Sequence, residues 1–158
     1  MFKTINGGQL PQRATKYSAG FDVFANEDVE IMAGETVTVG LGIALDRNAP
    51  LNITGKRYIL ENLLDIGFYL ELHPRSSLRA KGMGGGVGII DIDYPDEIKI
   101  VLSNPIIGAG EWGHYANTYS IKRGDKIGQL ILKRHEGCLL PAQYTKDEER
   151  NGGFGSTD

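Results

Sequence analysis

Glycine punctuates this chain so often that no apolar stretch grows past the length of a short strand. The sequence holds 22 glycines in 158 residues. Glycine inside a helix costs roughly 0.5–1 kcal/mol relative to alanine, so this usage suits tight turns rather than long helices. Strand-length apolar runs lie between the turn signals, at 2–5, 20–25, 29–31, 36–39, 41–45, 67–72, 98–102 and 126–132. Many short strands with frequent turn residues predict an all-β sandwich or barrel. Helix is confined to two short candidates. One is 57–65, where Leu60, Leu63 and Leu64 fall at helical spacing. The other is 76–81, with Ser76 placed to cap it and Gly82 to end it. Segments 50–54 and 104–117 read as loop insertions.

The length fits one domain, and a net charge of −3 gives no reason to expect a nucleic-acid or membrane surface. The single cysteine, Cys138, cannot form an internal disulfide, which fits a reducing compartment. No signal pattern opens the chain and no apolar run approaches a membrane span. These features predict a soluble, intracellular, cytoplasmic protein. Residues 1–145 form the β-rich domain. Residues 146–158 form a polar, glycine-rich arm whose only apolar anchor is Phe154, so the arm is expected to be flexible.

Four stretches carry candidate chemistry. Gly82-Met83-Gly84-Gly85-Gly86-Val87-Gly88-Ile89-Ile90-Asp91-Ile92-Asp93-Tyr94 reads as a hairpin whose nearly bare backbone can face a flat, polar ligand, with Asp91 where the apolar run ends. In His73-Pro74-Arg75-Ser76-Ser77, a helix start, two hydroxyls and a guanidinium suit an anion. Arg150-Asn151-Gly152-Gly153-Phe154-Gly155-Ser156-Thr157 can wrap a polyphosphate, with the Phe154 ring free to stack. Gly124-Asp125-Lys126-Ile127-Gly128-Gln129 is a turn into a strand that presents a neutral amide. The plainer readings are a turn before a core strand, an ordinary helix start, a disordered end and a simple turn. Asp22, set among strand-forming residues, needs a partner or water, because an isolated buried carboxylate is costly. His73, His114 and His135 have no metal-ligand spacing, and Cys138 reads as buried rather than nucleophilic.

Taken in order, these pieces resemble the motifs of the trimeric deoxyuridine triphosphate nucleotidohydrolases, or dUTPases. Ala19-Gly20-Phe21-Asp22-Val23 corresponds to the first motif and Pro74-Arg75-Ser76-Ser77-Leu78 to the second. Gly88-Ile89-Ile90-Asp91-Ile92-Asp93-Tyr94 is the third, and Arg123-Gly124-Asp125-Lys126-Ile127-Gly128-Gln129-Leu130 the fourth. Residues 150–157 are the fifth. The chain departs from the pattern at Pro95-Asp96, where Arg-Gly is usual. It departs again at Ser77, where Gly is frequent, and at Gly128, where Ala is frequent.

The resemblance implies a jelly-roll-like fold assembled as a homotrimer, with each site drawn from more than one subunit. It implies hydrolysis of dUTP to dUMP and pyrophosphate by Mg²⁺-assisted water attack at the α-phosphate, which keeps uracil out of DNA and supplies dUMP. Asp91 is then the general base, since aspartates are ionised at neutral pH and can take a proton from water. The family holds Mg²⁺ mainly through the triphosphate. Asp22 and Gln129 are candidates to touch the metal through water, and Gln129 also to bind substrate. Arg75, Ser76 and Ser77 would hold phosphates. Backbone at Gly88 and Ile90 would read the uracil edge, in a pocket too narrow for a thymine methyl. Tyr94 would lie under the deoxyribose. Arg150, Phe154, Gly155, Ser156 and Thr157 would close over the substrate.

Two rivals accompany this reading. A dCTP deaminase shares the fold and the Arg-Ser-Ser motif, but it uses a Glu in the strand after the Asp hairpin. Here residues 98–103 contain none, and Glu97, just before them, is expected to face solvent. The other rival is a non-catalytic protein of the same fold whose insertions contact a regulatory protein partner.

Overall fold

β8, Phe68–Pro74, is the strand around which the site is arranged. Its sequence alternates strictly, so Leu70, Leu72 and Pro74 are buried while Tyr69, Glu71 and His73 take the opposite face. Fully burying a leucine contributes roughly 1.5–3 kcal/mol, so this alternation fixes which face of the strand turns inward. The computed structural model describes residues 1–53, 56–59, 67–106 and 117–137.

β8 sits inside a four-stranded antiparallel sheet in the order β2-β12-β8-β9, where β2 is Phe21–Phe24, β9 is Gly88–Asp91 and β12 is Lys126–Arg134. Three further pairs join distant stretches of chain. β1 (Phe2–Thr4) pairs with β5 (Ile43–Leu45), β3 (Val29–Ile31) with β11 (Tyr119–Ile121), and β4 (Thr36–Gly40) with β10 (Lys99–Ser103). The pairs β2–β12, β3–β11 and β4–β10 are nested: early strands take late partners in reverse order. That is the wrapping of a jelly roll, as expected. Ile31, Val39, Leu41, Ile43, Ile100, Leu102 and Leu130 fill the space between the sheets and are buried.

The second helix candidate forms, as α1, Ser76–Ala80. Its N-cap position belongs to Arg75 and carries no side-chain cap bond, so Ser76 is the first helical residue rather than the cap. Pro74 is buried at the end of β8, and Arg75 N–H stays in register with β12 by donating to Ile127 O at 3.1 Å. The chain therefore leaves the sheet one residue earlier than the Ser76 cap requires. Gly82, at φ +84°, ends the helix as expected.

Residues 57–59 of the first helix candidate and 50–53 of the first insertion are strand rather than helix and loop, while residues 60–65 of that candidate lie outside the described residues. β6 (Pro50–Ile53) and β7 (Lys56–Ile59) pair antiparallel, with Leu51 opposite Tyr58 and Ile53 opposite Lys56. The leucine spacing that suggested a helix ignored Ile53, Tyr58 and Ile59, residues that favour strands. Residues 60–66 lie outside the described set, as do 107–116 of the second insertion, Trp112, His114, Cys138 and the whole arm. Among the described residues no helix is long and apolar enough to cross a membrane.

Candidate active site

The glycine-rich stretch does not fold into a hydrogen-bonded hairpin. β9 is taken by β8, with Leu72 opposite Gly88 and Tyr69 opposite Asp91. The returning strand β10 is taken by β4. The two strands therefore splay, and a cavity of about 390 Å³ opens between them. Its walls are residues 86–90 on one side, residues 98–101 on the other, and Tyr94 and Leu72 at the ends. Gly88 and Ile90 both line it. Tyr94 is half-buried, and its N–H closes a turn on Asp91 O at 3.1 Å. Arg47 Nη2 donates to Asp93 O at 2.9 Å and anchors that turn. At the near end, Gly84 exchanges backbone bonds with Ser103 at 2.7 and 3.2 Å. A Cβ at Gly84 would meet Ser103 Oγ, so a larger residue there requires the Ser103 hydroxyl to turn away.

Asp91 is exposed at the end of β9, next in the chain to Ile90 of the cavity wall. Glu97 does not face the same cavity. Its Oε1 accepts from Gly42 N–H at 2.8 Å, and it lines a separate recess with Asn6 and Asn26. This half-buried structural role corrects the expectation of a solvent-facing Glu97.

Asp22 is 3% exposed and has the partners its burial requires. Gln129 Nε2 donates to Oδ1 at 3.1 Å and Lys126 Nζ to Oδ2 at 3.0 Å. Burial alone pushes this carboxyl up. The hydrogen bonds from Gln129 and Lys126, with the Lys126 and Arg75 charges, outweigh it and hold Asp22 below the usual carboxylate range. Lys126 was missed by sequence reasoning for a local reason. Residues 126 and 129 would face opposite sides of a regular strand. A bulge between Lys126 and Gly128 shifts the register and turns both towards Asp22.

The outer face of β8 holds a second polar group that the sequence did not single out. Tyr69 Oη donates to Glu71 Oε1 at 2.8 Å, and His73 Nε2 lies 3.0 Å from Glu71 Oε2. Hydrogen bonds from His73 and then Tyr69 hold Glu71 below its ordinary value, and Tyr69 is pushed up by donating to Glu71. Strand alternation at 69, 71 and 73 was the available signal.

Arg75 and Ser77 line a second cavity of about 400 Å³, together with Lys81, Tyr119 and residues 124–127. Ser76 is exposed at the start of α1. The two cavities share no lining residue. Asp91 is opposite Tyr69, six residues before Arg75, which at about 3.3 Å per residue is roughly 20 Å along the strand. One copy of the chain thus gathers Asp22, Gln129, Lys126 and Arg75 towards one end of β8 and sets Asp91 at the other, with Gly88 and Ile90 between, opposite Leu72 and Leu70. It does not bring Asp91 to the Arg75 cavity.

The donor set bears on Mg²⁺. Both oxygens of Asp22 are engaged, one of them by an ammonium group, so the carboxylate is not open to a bare cation. Among the described residues no group of three or more His, Cys, Asp or Glu side chains could hold a metal ion. Gln129 commits its amide nitrogen to Asp22 and leaves its oxygen able to accept from a water. These residues fit an ion carried in on phosphates and touched through water.

The dUTPase family model matches residues 57–158. The chain is 32% identical to the deoxyuridine 5'-triphosphate nucleotidohydrolase of Debaryomyces hansenii over 163 residues, covering 99% of this chain and 85% of that one. It is 32% identical to the Candida glabrata protein of the same name over 154 residues, covering 95% and 89%. The fold is similar to that of the Streptococcus mutans dUTPase, with a TM-score of 0.60 and 25% identity over 84% of this chain and 94% of that one. It is also similar to the dUTPase from phage phi11 of S. aureus, with a TM-score of 0.66 and 20% identity over 94% and 96%. A mutant of that phage protein coordinates a structural Mg(II) ion. With the motifs in order, a jelly roll beneath them and relatives matched over nearly their whole length, the chain belongs to the dUTPase family.

Proposed function

We propose that this chain hydrolyses dUTP to dUMP and pyrophosphate, in sites that form only when copies of the chain associate as a homotrimer. One observation carries the reading. The cavity walled by backbone between β9 and β10 has Asp91 at its edge, yet Arg75, in the cationic, hydroxyl-bearing cavity with Ser77, lies roughly 20 Å from Asp91 along β8. A nucleoside in the first cavity presents its phosphates to Asp91, but their counter-charges must come from another copy.

In this reading Gly88 and Ile90 hold the base edge through backbone groups and Tyr94 supports the sugar. Mispaired analogues would leave such groups buried without partners, which is how polar pockets reject near substrates. Arg75, Ser76, Ser77 and Gln129 hold the phosphates. Asp91 takes a proton from water as the water oxygen bonds to the α-phosphorus. The bond from that phosphorus to its bridging oxygen breaks, and pyrophosphate leaves with the electron pair. Mg²⁺ on the triphosphate would supply further charge neutralisation there. Arg150, Phe154, Gly155, Ser156 and Thr157, the fifth motif, complete the enclosure.

The test is pyrophosphate release from dUTP and from dCTP, with ammonia measured in parallel and sedimentation of the same sample. Pyrophosphate from dUTP without ammonia, from a trimer, is the expected result. Ammonia from dCTP would assign a deaminase, and nucleotide binding without turnover a binding protein. A fully active monomer would overturn the shared site.

A further inference from the structure

The turn that carries Asp91 and Tyr94 is held from outside itself. Arg47 is half-buried in the connection between β5 and β6. It lies 46 residues before Asp93 in the chain, and its Nη2 donates to Asp93 O at 2.9 Å. Arg47 lines neither the cavity between β9 and β10 nor the cavity of Arg75. The reaction described above leaves it unused, and any part it takes must pass through the turn it holds.

The contact falls on one peptide unit. Asp93 supplies the carbonyl of the Asp93–Tyr94 peptide, and the N–H of the same unit donates to Asp91 O at 3.1 Å. A peptide unit is planar, so holding its oxygen and its nitrogen fixes the plane. That plane sets the direction in which the chain enters Tyr94. Pro95 restrains the exit, because the residue before a proline is pushed towards extended backbone. Tyr94, at the end of the first cavity, is thus constrained on both sides.

The platform beneath Arg47 is also anchored. Asp46 N–H donates to Met1 O at 2.9 Å, Ala49 N–H to Asp46 O at 3.1 Å and Asn48 N–H to Asp46 Oδ1 at 3.1 Å. Leu45 and Ala49, on either side, are buried. Ile43 O in β5 accepts from Ile98 N–H at 2.8 Å, and Ile98 belongs to the opposite wall of the cavity. β5 and the turn after it therefore brace both sides of that cavity.

We propose that Arg47 is a positioning residue for the sugar end of the nucleoside site. By holding the Asp93–Tyr94 peptide it sets the Tyr94 ring against a 2′-deoxy sugar and so helps the site reject ribonucleotides. A hydrogen bond from a guanidinium is stronger than one between neutral groups, which suits a contact that must keep a ring from tilting. A ring free to tilt would leave room for a 2′-hydroxyl. The inference rests on the dUTP reading above, which places the sugar on Tyr94.

The test is kcat/KM for dUTP and for UTP with wild-type protein, Arg47→Met, Arg47→Lys, Tyr94→Ala and the Arg47→Met/Tyr94→Ala double variant. Arg47→Met is expected to lower the dUTP-to-UTP ratio about tenfold, the scale of losing one hydrogen bond from a charged donor. Arg47→Lys, which keeps a donor on a long stem, should retain most of the ratio. In the Tyr94→Ala background Arg47→Met should change the ratio no further, since Arg47 acts through that ring. Arg47→Gln, polar but too short to reach the carbonyl, carries the same expectation as Arg47→Met and decides the matter if the methionine variant does not fold. An unchanged ratio, with dUTP and UTP turnover falling together, would overturn the proposal, as would an equal fall with and without Tyr94. Wild-type protein that releases no pyrophosphate from dUTP would overturn the functional reading and this inference with it. Wild-type turnover that prefers dUTP, with an unchanged ratio in Arg47→Met, would overturn this inference alone.

Discussion

Lys126 Nζ meets Asp22 Oδ2 at 3.0 Å across a bulge in β12, and the carboxylate it reaches is among the least exposed polar groups of the described chain. The contact joins the first and fourth motifs, which are separated by about a hundred residues of sequence, |i−j| = 104. It places a charge pair, with the Gln129 amide, where the sheet approaches the Arg75 cavity.

Lys126→Met should lower stability and move the acid limb of unfolding. The folded-state pKa of Asp22 is depressed. Its contribution is therefore full above the unfolded value of about 3.9 and is lost as pH falls through the lower folded value. Without Lys126, burial raises the folded value and the loss begins at higher pH. Because Lys126 is 43% exposed, a cost of about 1–2 kcal/mol at neutral pH is expected. Urea melts from pH 3 to 7 check both points, and an unmoved acid limb would separate Lys126 from the ionisation of Asp22.

Asp91→Asn keeps the shape of the β9 terminus and removes the proton acceptor. Turnover of dUTP is expected to fall by about 10²–10⁴-fold with nucleotide affinity little changed. Single-turnover kinetics beside equilibrium binding provide the check, and near wild-type turnover would exclude Asp91 as the base.

Gly128→Ala probes the packing between β12 and the opposite sheet. A Cβ there would lie 2.9 Å from Ile100 Cδ1, 3.0 Å from His73 O and 3.1 Å from Val23 Cγ2. Overpacking of this kind costs about 1–3 kcal/mol. Ile100→Val deletes the nearest methyl, so the double variant should be more stable than the sum of the single effects implies. A denaturation cycle with strictly additive values would show that Ile100 is not the obstacle.

Removal of residues 150–158 is expected to lower kcat well beyond any change in melting temperature. The Arg and hydroxyl groups of that motif are proposed to act as charge develops on the triphosphate, and contacts made mainly in the transition state are lost from kcat. Phe154→Ala should chiefly weaken binding. Unchanged kinetics after truncation would remove the arm from the mechanism, and a collapsed melting temperature would make it structural.

Most of the strands were legible in the sequence because each is a short apolar run closed by a turn residue, whereas the three residues of β11 were not read. Val29–Ile31 was delimited to the residue, and the alternation of β8 and the stop at Gly82 were equally local signals. The hairpin of β6 and β7 was not read, because leucine spacing was weighed above the strand preference of Ile53, Tyr58 and Ile59. The motifs, too, are contiguous stretches, so Asp91, Arg75 and Gln129 could be named from their neighbours alone. The sequence also required that a carboxylate among strand residues at Asp22 find a partner.

Tertiary structure alone decided who that partner is, because a single inserted residue in β12 turns Lys126 to the side of Gln129. It decided that β9 and β10 splay, since each satisfies its backbone on a different neighbour, β8 or β4, and the nucleoside-sized cavity exists only because they do. It also decided that Asp91 and Arg75 stand at opposite ends of one strand. Chain order gives the identity of such groups but not their separation, which is set by hydrogen-bond register across the sheet.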